Sequence, residues 1–300
     1  MIADPLKLMV HSNSLDHHGI CLDISVESAG WEYTGLVVRK LRPETSIDLT
    51  TGRDEVAVVL LGGDCSITAG GEEFRLNSRP NIFDGAPSAV YLPIDTPFTI
   101  TARTTTEVAF CASRAQKSFP VRHITPEDVA IEIRGAGNAT RQINHIIKPE
   151  FEAHRLLVVE VFTPSGNWSS YPPHKHDVSR MPQEADLEEI YYYRIAPEDG
   201  FAFQRLYTED GSLDQPYIVR DGDALIMPGG YHAYAVAHGY TGYYLNILAG
   251  NEPSRTMQPF DDPAHGWIRA TWNDSMNDGL LTWREVDRRI NGDAGNPSNR

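Results

Sequence analysis

The sequence predicts a mainly β protein that consists of two similar β-units and contains few helices. Short segments rich in β-branched and aromatic residues recur along the chain, and glycine, proline and aspartate separate them. The order of these segments in the first half is repeated in the second half. A clear amphipathic helix pattern occurs only near the end, at residues 280–290. Many short strands with few helices are typical of a β-sandwich or a β-barrel.

The first unit contains a series of predicted strands. They lie at residues 34–41, 56–61, 65–69, 74–76, 89–92, 98–102 and 107–112. The pattern then loosens, because residues 113–118 are polar and residues 134–138 are rich in turn formers. We therefore predict a first domain at residues 1–125 and a second domain at residues 126–250.

The second unit repeats the pattern and is followed by an extension. Its predicted strands lie at residues 155–163, 189–194, 201–207, 216–219, 224–227, 234–237 and 243–248. Residues 251–300 are polar but contain Trp267, Trp272 and Trp283. Because exposed indoles are unfavourable, we expect part of this extension to pack on the domains and residues 291–300 to be frayed.

The composition excludes several classes of partner. The 300 residues carry a formal charge of −15 with a pI near 5.1. Nucleic acids and anionic membranes attract basic proteins, so neither is an expected partner. The three cysteines, Cys21, Cys65 and Cys111, lie in or beside apolar segments and form no CxxC pair, which predicts buried thiols. The start of the chain lacks a signal-peptide pattern and no apolar run could span a membrane, so we expect a cytoplasmic protein.

Two histidines have the spacing of metal ligands. His174 and His176 are two residues apart, and alternate residues of a strand share a face, so both imidazoles can point into one cavity. Glu188 and Glu189 follow, directly before a strand-like run of tyrosines, and His232 comes later in a glycine-rich turn. Two strands and a turn could bring these groups together.

The order of these groups resembles the two motifs of the cupin superfamily, whose small jelly-roll barrel, the double-stranded β-helix, holds a metal on three histidines and one glutamate. The second motif corresponds to the run G-D-A-L-I-M-P-G-G-Y-H at residues 222–232. The resemblance implies four metal ligands: His174, His176, Glu189 and His232. Glu189 is preferred to Glu188 because it directly precedes the I-Y-Y-Y run, and because alternation turns its neighbour to the other face.

Longer runs are similar to the bacterial 5-deoxy-glucuronate isomerase family of inositol catabolism. In the second unit they are W-S-S-Y-P-P-H-K-H-D, L-E-E-I-Y-Y-Y-R and Y-Y-L-N-I-L-A-G, and elsewhere L-D-I-S-V-E-S-A-G-W-E-Y, R-G-A-G-N-A-T-R-Q-I-N and D-D-P-A-H-G-W-I-R. The similarity covers nearly the whole chain. It implies a bicupin with two jelly-roll barrels, and an aldose–ketose isomerase that converts 5-deoxy-D-glucuronate to 5-dehydro-2-deoxy-D-gluconate through a metal-stabilised enediolate.

The implied ligand set limits the choice of cofactor. Neutral imidazoles with one carboxylate suit Zn²⁺, Mn²⁺, Fe²⁺ or Ni²⁺, and they leave positions for water or substrate oxygens. We expect zinc or manganese. The sequence has no convincing Rossmann fingerprint and no phosphate-binding loop, and the isomerisation needs neither.

The first unit is interpreted as a cupin without its metal site. Glu55 to Gly62 fits the glutamate-to-glycine part of the cupin motif, yet no histidine occurs between His18 and His123. We therefore expect no metal there, and we expect Glu55 to lie on the rim of the first barrel.

The general base is left open among four residues. Asp177 and Glu188 come first, although regular alternation turns both away from the ligand face. Tyr191 and Tyr193 share the face of Glu189, so a cavity tyrosine or a metal-bound hydroxide is the substitute.

Two arginines and one loop complete the predicted site. Arg180 and Arg205 are the candidates for binding the substrate carboxylate, because a guanidinium pairs with a carboxylate through two hydrogen bonds. Lys175 is expected to face outward, between the two histidines. The spacing from His176 to Glu189 exceeds that usual in cupins, and residues 177–187 are therefore interpreted as an inserted loop over the mouth of the site.

Three other functions compete with this hypothesis. They are a related isomerase of 4-deoxy-5-hexosulose uronate, a cupin dioxygenase that uses redox-active iron, and a non-enzymatic sugar-binding or storage cupin. The intact histidine and glutamate pattern argues against the last, because a storage protein does not need it. The expected partner is a small uronate substrate, and assembly into a homo-oligomer is left open.

Overall fold

A computed structural model of the protein describes residues 7–12, 15–16 and 18–272. The predicted helix at 280–290, Trp283 and the predicted frayed end at 291–300 lie outside these residues. Within the described part the chain is mainly β, as predicted. No helix of this part is long and apolar enough to cross a membrane.

The first half consists of eleven short strands and one helical turn. The strands are β1 (Met9–Val10), β2 (Ile20–Ile24), β3 (Thr34–Leu41), β4 (Ser46–Thr50), β5 (Asp54–Gly62), β6 (Cys65–Ala69), β7 (Glu72–Leu76), β8 (Ala89–Leu92), β9 (Pro97–Ala102), β10 (Thr106–Arg114) and β11 (Arg122–Ile124). The helix α1 (Val26–Ala29) has Ser25 as its N-cap.

The second half adds twelve strands and two short 3₁₀ helices. The strands are β12 (Ala130–Arg134), β13 (Arg141–Ile147), β14 (Leu157–Thr163), β15 (Trp168–Lys175), β16 (Asp177–Arg180), β17 (Glu184–Ala196), β18 (Ala202–Tyr207), β19 (Asp214–Val219), β20 (Ala224–Met227), β21 (Tyr231–Val236), β22 (Thr241–Gly250) and β23 (Phe260–Asp261). The 3₁₀ helices are Gly137–Ala139 and Gly266–Thr271.

Each half forms a barrel of two antiparallel sheets. In the first barrel a six-stranded sheet, β11-β8-β5-β10-β3-β2, faces a four-stranded sheet, β4-β9-β6-β7. In the second, an eight-stranded sheet, β1-β20-β17-β22-β14-β13-β12 with β16 beside β17, faces a five-stranded sheet, β19-β18-β21-β15-β23. The six-stranded and eight-stranded sheets pack on each other through β3, β10, β17 and β22. The chain therefore passes from the sheets of the first barrel to those of the second between Ile124 and Ala130.

Strand β5 shows why the central strands are continuously apolar. Every residue from Glu55 to Gly62 is buried. Val56, Val58 and Leu60 point into the core of the first barrel, whereas Ala57, Val59 and Leu61 join the core shared by the two barrels. A strand that is covered on both faces loses its polar alternation.

Strand β1 belongs to the barrel of the other half. It pairs with β20, and the carbonyl of Leu8 accepts a hydrogen bond from the N–H of Ile226. Residues 1–125 were predicted to form the first domain, so its first strand departs from that division. The sequence did not predict β1, because a strand of two residues is too short to show a recognisable pattern.

Glu55 does not lie on a rim. Its side chain is fully buried between the barrels, and its carboxylate accepts hydrogen bonds from the backbone N–H groups of His154, Arg155 and Leu156 and from the Tyr91 hydroxyl. The rim prediction was therefore wrong, because the face of β5 that carries Glu55 is covered by the second barrel. The three cysteines are buried and unpaired, as predicted.

Candidate metal centre and its cavity

Three of the predicted metal ligands converge inside the second barrel. His176 follows β15, Glu189 lies on β17 and His232 lies on β21, and one ligand atom from each lies within 4.8 Å of the other two. The Nε2 atom of His176 is 2.8 Å from Oε2 of Glu189, and Nε2 of His232 is 3.3 Å from the same oxygen. All three side chains are buried.

The fourth predicted ligand, His174, lies beside this group. It is the cross-strand neighbour of His232 in the pairing of β15 with β21, and the two ring centroids are 4.7 Å apart. His174 does not belong to the tight group, but its ring lines the same cavity.

Backbone carbonyls hold the three imidazoles in one orientation. The Nδ1 atoms of His174, His176 and His232 each lie 3.1 to 3.4 Å from a carbonyl oxygen. A ring that donates through Nδ1 keeps the lone pair on Nε2, as ligating histidines do. Nε2 of His232 is buried and has no hydrogen-bond partner among the described residues. A buried nitrogen without a hydrogen-bond partner that faces a carboxylate is suited to binding a cation.

The protonation states of the centre also fit a cation. Burial opposes ionisation of Glu189, but His176 and His232 lower its pKa to about 2. Burial lowers the pKa of His232 to about 4 and that of His174 well below its ordinary value. Burial also disfavours charge on His176, but Glu189 raises the pKa of His176 to about 9, so a cation binding there displaces a proton.

Two glycines shape the turn that delivers His232. Gly229 and Gly230 have φ values of 130° and 93°. A Cβ on Gly229 would lie 3.0 Å from the Asp177 carboxylate, and one on Gly230 would lie 2.7 Å from the carbonyl oxygen of Tyr207. Glycine is therefore required at both positions.

The centre opens into a cavity of about 390 Å³. Its polar walls come from four strands of the second barrel: Arg141, His145, Ser170, Tyr191, Tyr244 and Asn246. Residues 256–259 and Arg269 cover it from the C-terminal side. The first barrel has a smaller cavity of about 240 Å³ between its sheets, which no histidine lines.

The two predicted carboxylate bases are engaged elsewhere. Asp177 accepts hydrogen bonds from Nζ of Lys175 at 2.5 Å and from the N–H of Gly230 at 2.7 Å, so it holds the turn before His232. Glu188 points to the first barrel, as alternation required, and accepts hydrogen bonds from the N–H groups of residues 32–34. Neither carboxylate lines the cavity, so the structure does not place either as a base.

The two predicted tyrosines lie at different depths. Tyr191 lines the cavity, and its hydroxyl is 2.9 Å from Oγ of Ser170. Tyr193 stacks behind it with ring centroids 5.8 Å apart, and its hydroxyl donates to Gln204. Burial raises the pKa of both phenols well above the ordinary value.

The two predicted carboxylate-binding arginines lie outside the cavity. Arg205 on β18 is half exposed and forms two hydrogen bonds of 2.8 Å with Asp214 on the adjacent strand β19. Arg180 pairs with Glu184 at 2.5 Å. Both assignments were wrong, because nearby acidic side chains already neutralise these guanidiniums.

The segment after His176 also differs from its prediction. Residues 177–187 were expected to cover the mouth, but β16 forms a hairpin with the start of β17, and none of these residues lines the cavity. Lys175 was expected to face outward, yet it is buried and pairs with Asp177 and Glu184.

The C-terminal segment provides the actual cover. The N–H of Ala185 donates to the carbonyl of Gln258, and β23 pairs with β15. Of the two tryptophans in this segment, Trp272 packs on Arg141, whereas Trp267 is 65% exposed, against expectation.

Sequence reasoning missed the contribution of β13. Arg141, Ile143 and His145 line the cavity, while Gln142 and Asn144 between them are buried on the other face. Polar residues on both faces concealed the strand. The spacing of Arg141, Ile143 and His145 at every second residue was the pattern that could have predicted a strand with one face toward the cavity.

A model of the KduI/IolB family matches residues 8–268. The chain belongs to the KduI/IolB family. It is 42% identical over 264 residues to the 5-deoxy-glucuronate isomerase of Geobacillus kaustophilus, covering 87% of this chain and 95% of that protein. It is also similar to the crystal structure of an IolB-like protein from Salmonella typhimurium, with 40% identity and a TM-score of 0.83 over 87% of this chain and 98% of the other.

Membership of the KduI/IolB family confirms the predicted family, and it confirms an isomerase as the enzyme class at the level of that family. An oxalate decarboxylase from Lactobacillus farciminis has a TM-score of 0.64 at 13% identity, covering 96% of this chain and 97% of the other. At that identity the likeness concerns the fold alone, and it agrees with the predicted cupin architecture.

Proposed function

We propose that the protein is a metal-dependent aldose–ketose isomerase that converts 5-deoxy-D-glucuronate to 5-dehydro-2-deoxy-D-gluconate in myo-inositol catabolism. The observation that carries the proposal is the buried group of His176, Glu189 and His232 at the base of a polar cavity. A relative that shares 42% of its residues over 95% of its own length is named for this activity.

The cavity suits a small polar substrate. Ligand pockets range over about 300–1,000 Å³, and this cavity of about 390 Å³ lies near the lower limit. Its wall carries hydroxyl, amide, imidazole and guanidinium groups, which match the hydroxyl groups and carboxylate of a sugar acid.

The reaction moves a proton between neighbouring carbons. Removal of the proton from C2 and its delivery to C1, together with transfer of the O2 hydroxyl proton to O1, converts the aldehyde to an alcohol and the C2 alcohol to a ketone, through an enediolate, with no external oxidant or reductant. A divalent cation held by His176, Glu189 and His232, with His174 beside them, would polarise the carbonyl and stabilise the enediolate charge. We expect zinc or manganese.

The residues around the centre orient the sugar. Tyr191 and Ser170 hold each other at 2.9 Å at the cavity wall, where their hydroxyls can contact substrate oxygens. Residues 256–259 cover the cavity and limit the access of water to it. The buried, unpaired thiols fit a reducing, cytoplasmic location.

The test combines metal analysis with an assay under anaerobic conditions. The purified protein should contain zinc or manganese and isomerise 5-deoxy-glucuronate more efficiently than 4-deoxy-5-hexosulose uronate. A reversed preference would favour the second isomerase, and oxygen uptake coupled to turnover would favour a dioxygenase. Sugar binding without turnover of either uronate would favour a non-enzymatic cupin.

Variants tie the activity to the centre. His232→Ala and His174→Ala should lose most of the bound metal and reduce kcat/KM by at least about 100-fold, because each removes a predicted ligand. The matched control is His238→Ala, which replaces an exposed histidine of the same barrel. It should keep both the bound metal and the kcat/KM of the unmodified protein. Full activity in a metal-free His232→Ala protein would contradict the proposal.

A further inference from the structure

Arg141 is a buried cation without an acidic partner. The residue is 3% exposed, and no described carboxylate forms an ion pair with it. Its Nη1 donates to the carbonyl of Ala139 and its Nη2 to the carbonyl of Tyr171, both at 3.0 Å. A guanidinium has five N–H donors, so most remain after these two bonds. Burying a charge that lacks a counter-ion is costly, and the carboxylate of a bound ligand would supply that counter-ion.

The two arginines beside it are already neutralised. Arg134 and Arg269 line the same cavity, but Arg134 pairs with Glu132 and Arg269 pairs with Asp261. The end of the cavity at Arg141 therefore keeps one uncompensated positive charge. In a chain with a formal charge of −15, this local excess does not follow from the overall composition. Burial lowers the pKa of Arg141 to about 10, which leaves it protonated at neutral pH.

The position of Arg141 suits a ligand that also reaches the metal centre. Strand β13 is separated from β17, which carries Glu189, by β14 and β22. Three strand spacings amount to about 14 Å between backbones, and side chains that reach inward from both strands shorten this gap. Tyr244 lies on β22, between the strand of Arg141 and the strand of Glu189. The centroid of its ring is 4.8 Å from that of Tyr191, and its hydroxyl is 3.2 Å from Oγ of Ser170.

We propose that Arg141 binds the carboxylate of the sugar acid and so makes the site specific for uronates over neutral sugars. This inference rests on the proposed function for the identity of the natural substrate. A planar guanidinium already fixed by two carbonyls can offer parallel N–H groups to a carboxylate with little loss of side-chain entropy. One unpaired cation neutralises one carboxylate, whereas a phosphate dianion would need further charge.

The test measures equilibrium binding as well as activity. Calorimetric titration of the purified full-length protein with D-glucuronate, D-glucose and glucose 6-phosphate should rank the uronate first. Arg141→Met should weaken D-glucuronate binding by about 10- to 100-fold and leave D-glucose binding unchanged. Arg141→Lys keeps the charge but lacks the planar guanidinium. Its affinity for D-glucuronate should therefore lie between that of the unmodified protein and that of Arg141→Met.

Matched controls separate a specific effect from a structural one. Arg205→Met and Arg180→Met remove the exposed, paired arginines of the same barrel and should bind as the unmodified protein does. In kinetics with 5-deoxy-glucuronate, Arg141→Lys should raise KM more than it lowers kcat.

Several results would overturn the inference. They are equal binding of D-glucuronate and D-glucose by the unmodified protein, tighter binding of glucose 6-phosphate, and uronate binding that survives in Arg141→Lys and Arg141→Met. An equal loss of glucose and uronate binding in both variants would indicate a structural role. If uronate selectivity depends on Arg141 but 5-deoxy-glucuronate is not isomerised, the proposed function fails and this inference stands.

Discussion

Glu188 and Glu189 are neighbours in the chain and point into different barrels. Glu189 faces His176 and His232, whereas Glu188 accepts hydrogen bonds from the N–H groups of residues 32–34 in the first barrel. Glu55 makes the reciprocal contact, since it accepts hydrogen bonds from the N–H groups of residues 154–156 in the second. Each barrel thus presents a carboxylate to a run of backbone N–H groups of the other.

Glu188→Gln should lower stability without lowering activity. The amide leaves one oxygen for the N–H groups and turns an NH₂ donor toward the rest, so the free energy of unfolding should fall by about 2 kcal/mol. Urea denaturation measures the loss, and kcat/KM should stay within about twofold. Glu73→Gln, an exposed carboxylate of the first barrel, serves as the control for stability. A large loss of activity at unchanged stability would restore Glu188 as a candidate base.

Strand β17 shows how one element serves two purposes. Its residues alternate between the cavity and the other barrel, so that Glu189 and Tyr191 line the cavity while Tyr192 donates to Glu107 of the first half. Period-2 alternation makes this division unavoidable once both faces are covered. A shift of one residue in the register of β17 would place Glu188, instead of the candidate ligand Glu189, in the cavity.

Leu8→Ala should destabilise the protein through the edge of the second barrel. Leu8 is 2% exposed, and its segment supplies the edge strand β1, which pairs with β20. A buried leucine replaced by alanine loses about 3 kcal/mol, from transfer and from the cavity left behind. Urea denaturation should show this loss, whereas Leu15→Ala, at a position 52% exposed, should change little. Equal effects of the two changes would show that β1 does not support the barrel.

The two barrels are joined by a buried ion pair as well as by their common core. Arg79 of the first barrel and Glu160 of the second are fully buried, with Nη2 3.0 Å from Oε2. Asn144 and Tyr243 donate to the same carboxylate, and Nε of Arg79 donates to the carbonyl of Leu60. Because Arg79 and Glu160 each have partners in both barrels, the two halves should unfold together.

Arg79→Met should destabilise the whole molecule by about 3–5 kcal/mol, because it leaves the Glu160 carboxylate buried without its cation. The double variant Arg79→Met with Glu160→Gln should recover part of that loss. Arg75→Met removes an exposed pair with Asp64 and should cost less than about 1 kcal/mol. A second unfolding transition in Arg79→Met would show that the pair couples the barrels. A change no larger than that of Arg75→Met would contradict the role given to the pair.

Much of the fold and the core of the candidate metal centre followed from local patterns. Strand character and the shared face of His174 and His176 depend on side chains a few residues apart, and the position of Glu189 before the tyrosine run sets which way it points. The similarity of whole motifs to one family supplied His232, which no local spacing could connect to the other ligands.

The remaining site residues depend on contacts between distant segments. Arg180 and Arg205 were plausible carboxylate binders until their acidic partners Glu184 and Asp214 were visible. Arg141 becomes significant because no described carboxylate pairs with it. Periodicity along a strand reports which residues share a face, but the packing of sheets decides what that face meets. For this protein the chain pattern therefore determined the barrels and the histidines, and tertiary packing decided which charges stay unpaired beside them.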